Sequence, residues 1–159
     1  MTAMIAPDAY KTGEQGREEV REFSVDMLTD FFANRNYRPY ADGNRFRLSF
    51  AFTPSIDCSL NYSFVFSDEK YRWLSIQSSS DKRFKIEQRD ELFNILNRFN
   101  IKSRWPITFV KQGETRLLVH TKFDVDFSRG VQPELVYESI TRFMGGTHSL
   151  WEFLLEQGL

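Results

Sequence analysis

Few side chains in this sequence could carry nucleophilic chemistry, because Cys58 is the only cysteine and His120 and His148 are the only histidines in 159 residues. A thiol becomes a nucleophile when a histidine lies beside it, and such partners meet in space rather than in sequence. The alternation around His120 places it on one strand face with Arg116 and Lys122. We therefore expect His120 to be exposed to solvent, and a Cys–His pair is the less favoured alternative.

Metal and carboxylate chemistry have equally little support. Zinc needs about four nitrogen, sulfur or oxygen ligands, or three and a water. His148 follows Gly145-Gly146-Thr147, a position typical of a helix break or cap, and Asp124 and Asp126 resemble solvated loop carboxylates. The signatures of P-loop, dinucleotide, serine-hydrolase and zinc-protease sites do not occur. We predict no cofactor, no metal and no enzymatic activity.

The charges are spread along the chain rather than clustered. The formal net charge is −1, and residues 37–103 carry 11 basic and 8 acidic side chains, a net +3. Nucleic-acid-binding domains usually combine a high pI with a clustered Lys/Arg face. We therefore expect no nucleic-acid partner. A small anion-binding patch could form from the three serines at 78–80 and the cations Lys82, Arg83 and Lys85. A solvated loop leading into a helix is the favoured interpretation of this segment.

The N-terminal residues lack a basic segment followed by an apolar run of signal-peptide length. No stretch approaches about 18 consecutive apolar residues, so a membrane span is not expected. One cysteine excludes an intramolecular disulfide. These observations predict a cytoplasmic location.

Periodicity predicts the elements that must position any site. Residues 1–16 are interpreted as a flexible arm and residues 17–159 as one domain. Apolar residues at three- and four-residue steps predict a helix starting near Arg17, a second helix over 92–99 and a last helix over 133–155 that Gly145-Gly146 should weaken or bend. Alternation with period two predicts five strands: 46–52, 60–66, 71–77, 105–109 and 117–123.

The order α-β-β-β-α-β-β-α predicts an α+β fold, with a mainly antiparallel five-stranded sheet packed with helices. The short connections between consecutive strands indicate hairpins rather than crossover helices. A doubly wound parallel sheet is not expected.

The second helix ends in the pattern Leu-Asn-x-x-Asn, carried by Leu96, Asn97 and Asn100. This pattern, with the element order over about residues 17–157, resembles the YbjN family. The resemblance implies a fold similar to class I type III secretion chaperones, which are small acidic dimers that hold partner proteins in non-native form. It implies a regulatory role, with no cofactor and no catalytic residues. This chain is nearly neutral, unlike those chaperones, so the resemblance supports their fold more than a secretion role.

The favoured hypothesis is a non-enzymatic protein-binding module, chaperone-like or regulatory, that acts as a homodimer. Tyr71 and Trp73 alternate with Leu74 and Ile76, so one apolar set can remain exposed for a partner. The predicted protein-binding residues are Tyr71, Trp73, Tyr62 and Phe64.

Two other functions compete with this hypothesis. A small-molecule-binding protein or small enzyme would need a pocket between sheet and helices, lined by Tyr62, His120 or Arg116. A nucleic-acid-binding protein would use the central basic segment, and it is the least favoured of the three.

Overall fold

The computed structural model describes residues 19–159. The elements in chain order are α1 (Val25–Asn34), β1 (Tyr40–Asp42), β2 (Arg45–Thr53), β3 (Cys58–Ser67), β4 (Trp73–Ser80), β5 (Phe84–Lys85), a 3-10 turn (Ile86–Gln88), α2 (Arg89–Lys102), β6 (Ile107–Gln112), β7 (Arg116–Asp126) and α3 (Pro133–Glu156). The α+β class and the antiparallel sheet are confirmed. The described sheet has seven strands rather than five, because β1 and β5 are too short to show alternation. The predicted arm, residues 1–16, lies outside the described residues.

The strands lie in the order β1-β2-β3-β4-β7, and β6 pairs with the far side of β7. All pairs are antiparallel. Leu117 of β7 pairs with both Phe84 of β5 and Gln112 of β6. Strand β5 therefore lies on the β4 side of β7 and continues the line of β4.

The core lies between one face of the sheet and the helices of the described chain. The ring of Phe32 on α1 contacts Phe64 at 5.1 Å between centroids, and Phe143 on α3 contacts Tyr62 and Phe123. Helix α2 adds Leu92, Ile95, Leu96 and Phe99 to the same buried cluster. We call the sheet face that these helices cover the covered face.

The first helix starts at Val25, so the predicted start near Arg17 is wrong. Arg21 is extended and bridges Val131, with Arg21 N donating to Val131 O at 3.0 Å and Val131 N donating to Arg21 O at 2.8 Å. Val20 is 57% exposed, whereas Phe23 is buried against Phe127. A long-range backbone pairing thus replaces the helical turn that apolar spacing alone predicts.

Gly145 and Gly146 lie inside α3, which runs through them without a break. A Cβ at Gly146 would lie 2.7 Å from Pro106 Cδ and 2.8 Å from Trp105 O, whereas a Cβ at Gly145 would meet nothing within 4 Å. Gly146 is therefore a packing point. His148 belongs to the helix, so the expected break or cap at this position is wrong.

Candidate functional site

The sheet face opposite the helices carries no helix of residues 19–159. We call it the open face. Strand register places Arg47, Ser63, Gln77 and Lys122 side by side across it in one row. The next row contains Ser49, Asn61, Ser79 and His120. The centre of the open face is therefore built from small and polar side chains.

Trp73 lies at one end of the open face, where its backbone pairs with Ser67 and Asp126. Tyr71 precedes β4 in the connecting segment rather than on the strand, and it is 69% exposed. Asp124 lies two residues before Asp126 on β7 and therefore points to the same face. We call Tyr71, Trp73, Asp124 and Asp126 the Trp73 corner, a surface that joins aromatic and acidic groups.

Both carboxyl groups of the Trp73 corner are held in the ionised form. Burial acts to raise the pKa of Asp124, but hydrogen bonds from Lys122 and Ser75 and the Lys122 charge at 2.8 Å leave that pKa below its usual value. The backbone N–H of Ser128 donates to Asp126 and lowers its pKa as well. The corner therefore keeps its negative charges at neutral pH.

Tyr62 and Phe64 lie on the covered face and are 4% and 0% exposed. The placement of these two residues in a protein-binding surface is wrong, because α1 and α3 pack on their rings. Burial also raises the pKa of the Tyr62 phenol, which keeps its proton. Only Tyr71 and Trp73 of the predicted set are available to a partner in this structure.

A shallow pocket of about 220 Å³ lies at the centre of the open face. Its lining comes from β2, β3, β4 and β7 and comprises Arg47, Ser49, Asn61, Tyr62, Ser63, Gln77, Ser78, Ser79 and His120. We call it the polar pocket. It lies on the open face and not between sheet and helices, where the sequence hypothesis put a pocket. Arg116, assigned to that hypothetical pocket, does not line it.

His120 is half-buried in the polar pocket rather than solvent-exposed. Its ring stacks on Phe109 with centroids 5.5 Å apart, and its Nε2 is out of contact with solvent and has no hydrogen-bond partner among the described residues. Burial, followed by the charges of Lys111 and Arg83, lowers the pKa of His120 to about 4. A buried polar atom without a partner costs about 1–3 kcal/mol, so the position of His120 is unfavourable for folding.

Cys58 and His120 do not form a nucleophile pair. Cys58 lies on the covered face, 1% exposed, and His120 points to the open face. Burial and the nearby Asp81 charge raise the pKa of the Cys58 thiol to about 11. A thiol of this kind is protonated and unreactive at neutral pH.

The anion patch that was the less favoured alternative for residues 78–80 and the cations after them is not assembled. Lys82 Nζ donates to Asp57 Oδ2 at 3.2 Å and to Leu159 O at 3.0 Å. An Arg83 guanidinium nitrogen donates to Ser80 O at 2.6 Å. These cations hold the β4–β5 connection rather than an open site.

Within the part of the chain that the structure describes, no three His, Cys, Asp or Glu side chains come together to hold a metal ion. None of the helices between residues 19 and 159 combines the length and hydropathy that crossing a bilayer requires.

The sequence model of the YbjN family, described as "Putative bacterial sensory transduction regulator", matches residues 24–152. The chain belongs to this family. The fold is similar to the crystal structure of YbjN, "a putative transcription regulator from E. coli", with a TM-score of 0.66 at 11% identity over 89% of this chain and 98% of that chain. At this identity the likeness shows the fold alone. No curated protein sequence gives a significant match.

Proposed function

We propose that this protein is a non-enzymatic regulator that acts by binding a protein partner in a chaperone-like manner. The observation that carries the proposal is the one-sided cover of the sheet, which leaves Trp73 and Tyr71 outside the core at one end of the open face. The description of its family as a regulator supports this role. The separation of Cys58 from His120 argues against nucleophilic catalysis.

The chemistry of the Trp73 corner favours a partner segment that carries Arg or Lys beside apolar residues. An aromatic ring attracts a cation over its face by about 0.5–2 kcal/mol. Lys70 Nζ already lies 5.3 Å from the centroid of the Tyr71 ring. Asp126 adds negative charge next to Trp73, whereas the charge of Asp124 is paired with Lys122. A cationic side chain of the partner is therefore attracted to the side of the indole on which Asp126 lies.

The proposal is tested by a photo-crosslinking amino acid at position 71 in cells. Phe93 gives the matched control, because this exposed aromatic residue lies on α2 and also has its own cation, Arg89, at 5.3 Å. We expect position 71, and not position 93, to crosslink a defined protein. With that protein purified, Trp73→Ala should weaken binding at least tenfold, about 1.4 kcal/mol. Equal crosslinking at both positions, or unchanged affinity of Trp73→Ala, would show that the corner is not the binding surface.

The proposal includes a homodimer and a cytoplasmic location, where the lone Cys58 thiol would stay reduced. Three large apolar side chains within residues 101–107 are exposed: Ile101 at 76%, Trp105 at 39% and Ile107 at 63%. We propose that this apolar surface contacts a second copy of the chain in the homodimer. Light scattering should give twice the monomer mass for the wild type. Ile101→Lys should give the monomer mass, with Leu135→Lys, exposed on α3, as the control. A monomeric wild type would refute the dimer.

A further inference from the structure

The floor of the polar pocket offers hydrogen-bond donors that the fold does not use. The side chains of Ser63, Gln77 and Ser79 line it and make no side-chain hydrogen bond within the described residues. Ser49 Oγ donates to Asn61 Oδ1 at 2.7 Å. The oxygen of Asn61 is the acceptor in that bond, and the N–H groups of its amide remain as donors.

Cations lie at both ends of the polar pocket. Arg47 lines one end, and its ion pair with Asp42 is long and exposed, at 3.7 Å. At the other end, strand register places Lys111 of β6 on the open face, two residues from Phe109, which pairs with His120. The charges of Lys111 and of Arg83, before β5, both lower the pKa of the imidazole. An anion is therefore favoured in this pocket and a cation is disfavoured.

The size of the pocket limits the ligand. Pockets for drug-sized molecules measure about 300–1,000 Å³, and the polar pocket measures about 220 Å³. Its hydroxyl and amide lining also disfavours an apolar ligand.

We infer that the polar pocket binds a small oxyanion, a carboxylate or phosphate group on a compact metabolite, through Arg47, Asn61, Ser63 and Ser79, beside the imidazole of His120. The site shares no residue with the Trp73 corner, so the inference does not rest on the protein-binding proposal. It gives the open face a second role, recognition of a small anionic ligand.

The two histidines provide an internal control for the test. Imidazole resonances of the full chain would be followed by NMR while inorganic phosphate, succinate or neutral glycerol is added at constant ionic strength. We expect phosphate or succinate to shift His120 in a saturable manner and to raise its pKa, because a bound negative charge favours the imidazolium against Lys111 and Arg83. His148, whose Nε2 lies 3.4 Å from Glu152 Oε1 on α3, is far from the pocket lining and should not respond. The stronger of the two anions identifies the ligand group.

A second variant pair separates binding from folding. Ser63→Val fills the pocket floor with a residue that suits an exposed strand, whereas Ser67→Val makes the same change on the same strand face outside the lining. Ser63→Val should weaken anion binding at least tenfold, and Ser67→Val should leave it unchanged. The inference is overturned if neither anion shifts His120, if glycerol acts equally, or if both variants bind as the wild type does.

Discussion

The side-chain amide of Asn100, near the end of α2, is bonded to both backbone groups of Thr108 on the edge strand β6. Thr108 N donates to Asn100 Oδ1 at 3.0 Å, and Asn100 Nδ2 donates to Thr108 O at 3.2 Å. The Thr108 hydroxyl donates to the same Oδ1 at 3.0 Å. The amide thus takes the place of a neighbouring strand and covers part of a sheet edge. This geometry explains one residue of the Leu-Asn-x-x-Asn pattern.

Replacing Asn100 with Ala should lower the free energy of unfolding by about 1–3 kcal/mol, because it leaves backbone groups of Thr108 without a partner. Urea unfolding followed by circular dichroism measures the change. Asn97→Ala, at an exposed position on the same helix, should stay within about 0.5 kcal/mol of the wild type. Equal losses for the two variants would contradict the structural role of Asn100.

Gly146→Ala and Gly145→Ala should have opposite effects on stability. At position 146 a methyl group meets the Trp105 carbonyl and Pro106, and such overpacking costs about 1–3 kcal/mol. At position 145 the added Cβ has space, so the higher helix propensity of Ala should stabilise α3 by up to about 1 kcal/mol. Thermal unfolding of both variants tests this difference, and destabilisation of both by the same amount would contradict it.

Thr121 joins two buried hydroxyl groups under α3. Its Oγ1 lies 2.6 Å from Ser78 Oγ and 3.0 Å from Thr147 Oγ1. Thr121→Val keeps the shape but removes both bonds, so we expect a loss of about 1–3 kcal/mol. Ser78→Ala removes one of the same bonds, and the double variant should therefore cost less than the two single variants together. Strict additivity in urea unfolding would show that these hydroxyls are not coupled.

The low pKa of His120 makes stability depend on pH. Its pKa falls from 6.5 to about 4 on folding, so between these values the unfolded chain binds a proton that the folded chain does not. The contribution of His120 to the free energy of unfolding is therefore present in full above pH 6.5 and is lost as the pH falls toward 4. When the pH is lowered from 7 to 5, the free energy of unfolding of the wild type should fall by about 1–2 kcal/mol more than that of His120→Gln, after allowance for solvent screening.

Urea unfolding of the wild type and of His120→Gln at pH 7 and at pH 5 measures this difference. A His120→Gln variant with the same pH dependence as the wild type would show that the imidazole titrates normally in the folded chain.

Local sequence patterns predict most of the helices and strands, but they do not predict the residues at which each one begins and ends. Alternation predicts β3 because every second residue from Cys58 to Phe66 is buried, and it predicts β2 although only Leu48 of that strand is fully buried. The start of α1 was misplaced because Arg21 pairs with Val131, more than a hundred residues away. Strands β1 and β5 have only three and two residues, too few to show alternation. Strand β1 forms a tight hairpin with β2, and β5 pairs with the more distant β7.

The site was harder to predict than the fold. Alternation separated Trp73 from Leu74, yet it could not show that the face with Tyr62 and Phe64 is the one that helices cover. The polar pocket depends on cross-strand register, such as Ser63 opposite Gln77 and Asn61 opposite Ser79. The run of serines at outward positions of β3 and β4 was the one signal in the sequence, and register is what turns those serines into a pocket.

The alternation of β3 and β4 also determines how the polar pocket would respond to a ligand. Ser63 lies between Tyr62 and Phe64, and Gln77 lies between Ile76 and Ser78, all four of which are buried. Their backbone is therefore held in place by the core before any ligand arrives. A pocket built in this way is preorganised, so binding costs little conformational entropy and its selectivity is set by the positions of a few rigid donors.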